Sequence, residues 1–372
     1  MAKRETNIEL LRILSMFLII VGHYIYWGMK NLSSYGSYDI TQLSGGGTYF
    51  TMEPLWIISC IGVNCFVMIT GYFICDKPRF RWKGILRTWT ETAFYILLIG
   101  GLTRLYRPDI VSLKDIAIYL FNNGYWFVTC YIGLLAVAPL LSLIVTRLNK
   151  RDYLLVLLVL FIMNFQYLYG RTFAGDHSLG WFTFLFMVAG YIRRFPLPNF
   201  WMKHKGFTVL LIWGALFILA SCYNLIKWKM MHAKFELVSS ANDGMMFFLS
   251  VAVFVFFAYT KMEGKCAKMI AKIAPYMFGI YLIHMNPFCF KQMWMLIIPD
   301  HYTMPIIVHC MLWCIAILIG CAIIDFIRTL LFNFCRIPKF IEWLASKLPN
   351  LHINDKLIVY SNDSTEEYRD RP

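Results

Sequence analysis

The sequence predicts an all-α fold, a polytopic membrane bundle of about ten transmembrane helices. Hydrophobic residues make up 59% of the 372 positions and charged residues only 15%, and the mean hydropathy is +0.59. A water-soluble protein needs a far more polar surface than this composition provides, so a soluble enzyme is excluded. Apolar windows of about 20 residues, the length that crosses about 30 Å of hydrocarbon as a helix, recur along the whole chain.

The predicted spans are ten apolar windows, each bounded by charged or turn residues. They lie at residues 8–27, 55–75, 87–106, 125–146, 153–169, 181–195, 207–226, 245–260, 273–290 and 304–332. Residues 1–346 therefore form one membrane domain. The remaining residues, 347–372, are polar and of mixed charge, so we expect a disordered tail.

The distribution of Lys and Arg predicts that both termini lie in the cytoplasm. If the N-terminus is inside, the inner helix ends and loops hold 22 basic residues, Arg328 among them, and the outer ones hold nine. Cytoplasmic segments of membrane proteins are enriched in Lys and Arg, and this bias sets their orientation. We therefore interpret the net charge of +14 as topology, and we do not expect nucleic acid as a partner.

The eleven cysteines predict neither a metal site nor a disulfide framework. No two of them form a CxxC pair, and most lie inside apolar runs. Metal-binding and redox motifs depend on such close spacing. In an apolar helix a cysteine acts as a small packing residue, so we expect no bound metal.

Charged side chains in the first predicted span are the best candidates for function, because Arg, His or Glu inside hydrocarbon costs much free energy. Arg12 and His23 are eleven residues apart. This is about three helical turns, so both share one face and lie about 16 Å apart along the axis. Arg12 is a candidate anion clamp and His23 a candidate proton acceptor. In the alternative interpretation Arg12 extends to the inner interface beside Glu9, and His23 is a hydrogen-bonding residue of the outer interface.

Further polar residues follow in the later spans. Asn64 and Thr70 lie in the second span, Lys83 and Arg87 lie at the inner start of the third, and His284 ends a YLIH motif. Several polar groups thus occur in a bundle that carries no metal motif, which favours a substrate site in its interior.

Taken in order, the motifs of the chain resemble those of the acyltransferase-3 family of membrane acyltransferases. NIELLRILSMFLIIVGHY carries an Arg-x10-His pair preceded by an acidic residue, and GVNCFVMITGYF resembles the second-span segment with Thr70 in place of the family's Ser. The basic run that ends at Arg87 matches the start of the third span without the family's Arg-x-x-Arg spacing. NGYWFVTCYIGLLAVAPLL, MFGIYLIH and IIDFIR follow in the family's order. The resemblance covers almost the whole membrane region.

The resemblance implies transfer of an acyl group, most often acetyl, to a hydroxyl of a cell-surface or exported glycan. The donor would be acyl-CoA, with acetyl-CoA on the cytoplasmic side, acting as a substrate and not as a permanently bound cofactor. The partners would be a glycan or lipid-linked saccharide and the lipid bilayer. We therefore expect residues 1–346 to be a membrane acyltransferase domain in a bacterial plasma membrane, crossing it several times.

Residue roles follow from this chemistry. His23 is the natural general base, since a neutral imidazole accepts a proton near pH 7. Arg12, Lys83 and Arg87 are predicted to bind the CoA phosphates, with ordinary positive-inside topology as the alternative for Lys83 and Arg87. The predicted substrate-binding or supporting residues are Glu9, Asn64, Thr70, Trp126, Tyr281 and His284. For His284 a structural role is favoured over a catalytic one.

A multi-span secondary transporter or glycan flippase is the alternative function. In such a protein Arg12, His23, Glu91 and Asp325 would form a path for substrate or protons. The chain shows no internal repeat and no pair of broken helices, which many transporters have. Acetyl transfer by the purified protein distinguishes the two functions.

Overall fold

The computed structural model describes residues 5–31, 48–122, 124–164, 178–195, 197–231, 244–260, 262–298 and 303–350. Within these ranges every regular element is helical and no strand occurs, which confirms the all-α class. The predicted disordered tail lies outside the described residues from residue 351 onward.

Fourteen helices, numbered in chain order, make up the described ranges. They are α1 Thr6–His23 with the π-helical segment Tyr24–Asn31, α2 Thr48–Ile74, α3 Trp82–Tyr106, α4 Leu113–Asn122, α5 Trp126–Arg147, α6 Lys150–Asn164, α7 Leu179–Arg194, α8 Asn199–Met231, α9 Gly244–Ala258, α10 Lys265–Ile273 with the 3-10 turn Ala274–Tyr276, α11 Met277–His284, α12 Phe290–Ile297, α13 Ile306–Phe334 and α14 Ile337–Lys347.

Six described stretches are long and apolar enough to cross a membrane. They are Thr6–Met29, Phe50–Ile74, Leu113–Arg147, Met202–Met231, Lys265–His284 and Ile306–Phe334, of which Leu113–Arg147 comprises α4 and α5 and passes over residue 123. The other predicted spans are at least partly helical, but α3 carries several charges and the described parts of α6, α7 and α9 are only 15 or 16 residues long. The count of ten, the multi-pass topology and the side on which the termini lie stay predictions.

The predicted span 273–290 is displaced toward the N-terminus in the structure. Its helical stretch is Lys265–His284, and the chain turns before α12 begins. Pro287 has no N–H with which to continue the helix. The side-chain oxygen of Asn286 accepts the N–H of Phe288 at 3.1 Å and closes the turn. His284 therefore lies at a helix end, next to a bend in the chain.

Helix α1 lies at the centre of the bundle. It packs against α2, α9, α10, α11 and α13, and Ile8, Leu11 and Ile20 are among its buried residues. This explains why so apolar a helix also carries polar groups, because a central helix presents them to protein and not to lipid.

Two close contacts join α1 to α2. A Cβ atom on Gly62 would lie 2.8 Å from the carbonyl oxygen of Ser15, and one on Gly22 would lie 3.1 Å from the hydroxyl oxygen of Ser59. Residues without a side chain let two backbones approach in this way, and membrane helices commonly pack through such positions. The contact fixes α1, and with it His23, relative to the rest of the bundle.

Candidate active site

His23 is the last residue of α1, where the chain passes into the π-helical segment Tyr24–Asn31. Tyr24 and Met29 are buried and anchor this segment in the bundle. The hydroxyl of Tyr24 lies 2.7 Å from Nδ1 of His309 on α13. π-helical turns within α-helices occur frequently at functional sites. His23 is therefore held from both sides, by α1 before it and by the anchored π-helical segment after it.

The partner of His23 is His284, at the end of α11. Nδ1 of His23 lies 3.0 Å from Nε2 of His284, and the two ring centroids are 5.2 Å apart. His284 is fully buried, and its Nδ1 lies 2.7 Å from the carbonyl oxygen of Ile280. Three groups from two distant parts of the chain thus form one hydrogen-bonded row.

The hydrogen bonds of this row determine which ring nitrogens of His23 and His284 carry a hydrogen. Because the carbonyl oxygen of Ile280 only accepts, Nδ1 of His284 carries a hydrogen. For two neutral rings, Nε2 of His284 then accepts the N–H of His23 Nδ1, and the lone pair of His23 lies on Nε2. This is the arrangement of a base whose second nitrogen is oriented by a partner.

A cavity of about 20 Å³ adjoins His23. It is lined by Met16, Ile19, His23, Val63, Phe66, Trp126, Phe127, Phe278 and Tyr281. A cavity of this size holds about one water molecule or a group of similar size. Of the residues predicted from the sequence, the structure brings His23, Trp126 and Tyr281 together around this space, with His284 directly behind His23.

Arg12 lies away from this cavity. Its Nη1 donates to Oε2 of Glu9 at 2.8 Å, and the Glu9 side chain is only 5% exposed while that of Arg12 is 25% exposed. Arg12 and His23 are eleven positions apart on the helix, which is about 16 Å along the axis. The predicted anion clamp, Arg12, and the predicted base, His23, therefore lie on the same helix but far apart along its axis.

Lys83 and Arg87 are both paired with carboxylates. Lys83 binds Glu342 of α14, and Nε of Arg87 donates to Glu91 at 2.8 Å. The Lys83 ammonium donates a hydrogen bond to Glu342 and so holds the pKa of that carboxyl below its usual value. Both side chains of the Lys83–Glu342 pair are more than half exposed, so water screens this contact.

Asn64 and Thr70 connect helices elsewhere in the bundle. Asn64 is fully buried, donates to the hydroxyl of Ser250 at 3.0 Å and accepts the indole N–H of Trp181 at 2.9 Å. The hydroxyl of Thr70 lies 3.2 Å from that of Tyr131. Neither Asn64 nor Thr70 is among the residues that line the cavity at His23. Asn64 thus ties α2 to α7 and α9, and Thr70 ties α2 to α5.

A buried ionic cluster lies where α3, α11 and α13 meet, and the sequence analysis named its members Glu91 and Asp325 only as part of the alternative transport path. Arg328 donates to Asp325 at 2.6 Å and lies 3.4 Å from Glu91, while the hydroxyl of Tyr95 donates to Asp325 at 2.8 Å. The Arg328 side chain is only 4% exposed. Arg328 is therefore a residue of the bundle interior, where two carboxylates compensate its charge, and its place among the inner charges stays a prediction.

Gly279 lets α11 approach this ionic cluster. A Cβ atom at this position would lie 2.0 Å from a carboxylate oxygen of Asp325, so no side chain fits. The only sequence signal for the cluster is the Asp-x-x-Arg spacing in IIDFIR, which places both side chains on one helix face. Nothing in the sequence predicts Tyr95 as their partner, because it is 230 positions away from Asp325.

The fold and these contacts define a class of protein, an integral membrane helical protein with a hydrogen-bonded histidine pair beside an internal cavity. In the described ranges no three His, Cys, Asp or Glu side chains group as metal ligands. The chain belongs to the acyltransferase-3 family, since the family model described as an acyltransferase domain matches residues 5–326. No curated protein and no solved structure matches it. The match supports a membrane acyltransferase and does not favour the transporter.

Proposed function

We propose that this protein transfers an acetyl group from acetyl-CoA to a hydroxyl of an exported or cell-surface glycan. The observation that carries the proposal is the hydrogen-bonded pair of His23 and His284 beside an internal cavity. Family membership supports the acyltransferase chemistry. The donor, the acceptor and the roles of individual residues are our inference from the chemistry of these side chains.

His23 acts as the general base. A sugar hydroxyl is a weak nucleophile at neutral pH, so its proton must be removed as its oxygen attacks the thioester carbonyl. Nε2 of His23 takes that proton, the new C–O bond forms and the C–S bond of the donor breaks. The CoA thiolate leaves and takes the proton back from the imidazolium. His23 is neutral again, and the products are the O-acetyl glycan and CoA.

His284 is a positioning residue. Its ring is held by the carbonyl oxygen of Ile280 at 2.7 Å and in turn holds His23 at 3.0 Å. Such a partner keeps the base in the tautomer and orientation that the reaction needs and stabilises the imidazolium that forms. The structural role favoured for His284 from the sequence is compatible with this function, because it acts through His23 and not on the substrate.

The phosphates of CoA bind on the predicted cytoplasmic side, at Lys83 and Arg87, with Arg12 further along the path to His23. The exposed contact of Lys83 with Glu342 contributes little free energy, so a phosphate group displaces the carboxylate at small cost. Guanidinium groups bind phosphates in a two-pronged manner, which suits Arg12 and Arg87. Arg12 lies toward the N-terminal end of α1, the end that we propose to be cytoplasmic, and His23 lies at the other end, which supports this assignment.

The size of the cavity favours acetyl over longer acyl groups. Its walls are largely apolar, with Phe66, Phe127 and Phe278 among them, and its volume of about 20 Å³ suits a methyl group. Trp126 and Tyr281 complete its lining. We propose that the acetyl methyl group occupies this space while His23 faces the acceptor hydroxyl.

The environment of the protein follows from the same argument. We propose that residues 1–346 form the membrane acyltransferase domain in a bacterial plasma membrane, with both termini in the cytoplasm. CoA then enters from the cytoplasm, and the glycan or lipid-linked saccharide meets His23 from the outer half. The bias of basic residues supports this orientation.

The test uses purified protein in sealed proteoliposomes, where movement of glycan across the membrane can also be measured, with radiolabelled acetyl-CoA and glycan from a strain that lacks this protein. We expect label in the glycan with the native protein and none with His23→Ala. His204→Ala, which removes an exposed histidine of α8, is the matched control and keeps full activity. Movement of unmodified glycan across the membrane without any label transfer would contradict the proposal and support the flippase.

A further inference from the structure

A second, larger cavity lies between α8 and α9. Its volume is about 280 Å³, and Leu197, Lys205, Ile212, Phe248, Val251 and Val255 are among its lining residues. It shares no lining residue with the cavity at His23. The proposed acetyl transfer gives this groove no role.

The groove runs parallel to the two helices. Lys205 of α8 donates to the carbonyl oxygen of Tyr259, just after α9, at 2.5 Å, so the start of α8 adjoins the end of α9. From Lys205 to Ile212, and equally from Val255 back to Phe248, the lining advances seven residues, about 10 Å along each helix. One end of the groove is therefore polar and lies at the helix ends, and the other is apolar and lies deeper.

The surroundings of the groove match a lipid. In the apolar 18-residue window of the span Met202–Met231, only 17% of the residues are buried, and Phe207 and Leu211 are 65% and 55% exposed. A helix this apolar and this exposed faces hydrocarbon. The groove thus opens where acyl chains run alongside the protein.

Charge decides which kind of lipid fits. Lys205, at the polar end, is the only charged residue among those that line the groove, and no Asp or Glu lines it in the described part of the chain. The contact with Tyr259 uses one of the three N–H donors of the Lys205 ammonium, which leaves it able to bind an anion as well. Lys near a membrane surface binds anionic headgroups, and the inner leaflet is the predicted location of this end.

We propose that this groove binds one acyl chain of an anionic phospholipid of the inner leaflet, with the lipid phosphate at Lys205. The apolar lining takes the chain, and the single cation at its polar end holds the headgroup. A peptide would need partners for its backbone groups, and the lining supplies few polar atoms for that purpose. The site is independent of the acetyl transfer proposed above.

Native mass spectrometry of the detergent-purified protein tests the proposal. The protein is incubated with equal amounts of phosphatidylglycerol and phosphatidylcholine that carry identical chains, and the retained lipids are counted. We expect about a fivefold preference for phosphatidylglycerol, the value for one lysine at a membrane surface. Lys205→Gln should reduce the preference to about one, while Lys229→Gln, which removes a charge from the far end of α8, should leave it unchanged.

A second variant tests the apolar part of the groove. Ala252 lines it, and Ala252→Phe fills the space, so both lipids should be lost to a similar extent. Variants are compared only as monodisperse protein of native helix content. An equal ratio of the two lipids in the native protein, or an unchanged ratio in Lys205→Gln, overturns the proposal. So does competition by inorganic phosphate alone, because it would show a simple anion site that needs no acyl chain.

Discussion

The histidine pair and the ionic cluster are both buried polar groups in the same bundle, yet they are built differently. His23 and His284 form a hydrogen-bonded row that ends at a cavity. Arg328, Asp325 and Glu91 form a charged set whose members compensate one another, and they line neither of the two cavities described above. The comparison teaches that burial of a polar residue does not by itself indicate chemistry. A site for chemistry also needs room beside the reacting atom.

The largest effect is expected from His23→Ala. A general base contributes about 10²- to 10⁴-fold, so acetyl transfer should fall by that factor or become undetectable. The protein should be present in the membrane at normal abundance, because the change makes α1 more hydrophobic. Transfer of label from acetyl-CoA, divided by the amount of folded protein, measures the effect.

His284→Ala is the matched comparison for His23→Ala, and it should lower the rate less, because it removes only the group that orients the base. The two variants combined should be no slower than His23→Ala alone. Normal transfer by well-folded His23→Ala protein would show that the pair is structural and that the base lies elsewhere.

Substitutions in the ionic cluster should lower the stability of the folded protein. Asp325→Ala leaves Arg328 without its closest carboxylate, and removal of one partner of a buried ion pair costs about 3 to 5 kcal/mol. The double variant Asp325→Leu with Arg328→Met removes both charges and should recover much of this loss. Thermal unfolding in detergent, followed by tryptophan fluorescence, provides the measurement. Normal stability of Asp325→Ala together with lost activity would place Asp325 in the chemistry and remove the distinction between the two regions.

Arg12→Ala should weaken use of the donor while His23 keeps its function. A hydrogen bond to a charged group contributes about 1.5 to 3 kcal/mol, so the KM for acetyl-CoA should rise by one to two orders of magnitude. Arg12→Lys should restore part of the loss, since it keeps the charge without the planar group. Arg104→Ala is the control, because this arginine donates to the carbonyl oxygen of Val111 in another part of the molecule. An unchanged KM in correctly inserted Arg12→Ala protein would favour the interfacial role of Arg12.

The smallest effect concerns Glu342, which binds Lys83 and, in the function we propose, competes with the CoA phosphates for it. Glu342→Gln should lower the KM for acetyl-CoA a few-fold, and Glu263→Gln, an exposed acid elsewhere, should not. Because Lys83 holds the pKa of Glu342 below its usual value, the pair persists at neutral pH and is lost as the pH falls through that lowered pKa. The difference between native and Glu342→Gln protein should therefore shrink at acid pH. A constant difference at every pH would separate the effect from the titration of Glu342.

The sequence was sufficient for features that depend on local spacing. The apolar windows indicated the helices, and the Arg-x10-His spacing placed two polar groups on one face of α1, because helix geometry fixes both. The contact of His23 with His284 joins positions 261 apart, and Glu342 meets Lys83 across 259 positions. Such pairs depend on how helices pack against each other. The residue pattern of one helix does not show which other helix it contacts. For the same reason the ionic role of Arg328 was missed.

The tight contact of α1 with α2 has a mechanical consequence. The two helices approach so closely at Gly62 that no side chain fits there, and at Gly22 one would fit only tightly, so sliding or rotation of α1 against α2 would disrupt a closely packed contact. We therefore expect α1 to be the stationary helix of the bundle, with His23 at a constant depth in the bilayer. In the function we propose, the donor and the acceptor then move to a histidine that does not move toward them, and any opening of the bundle involves helices other than α1.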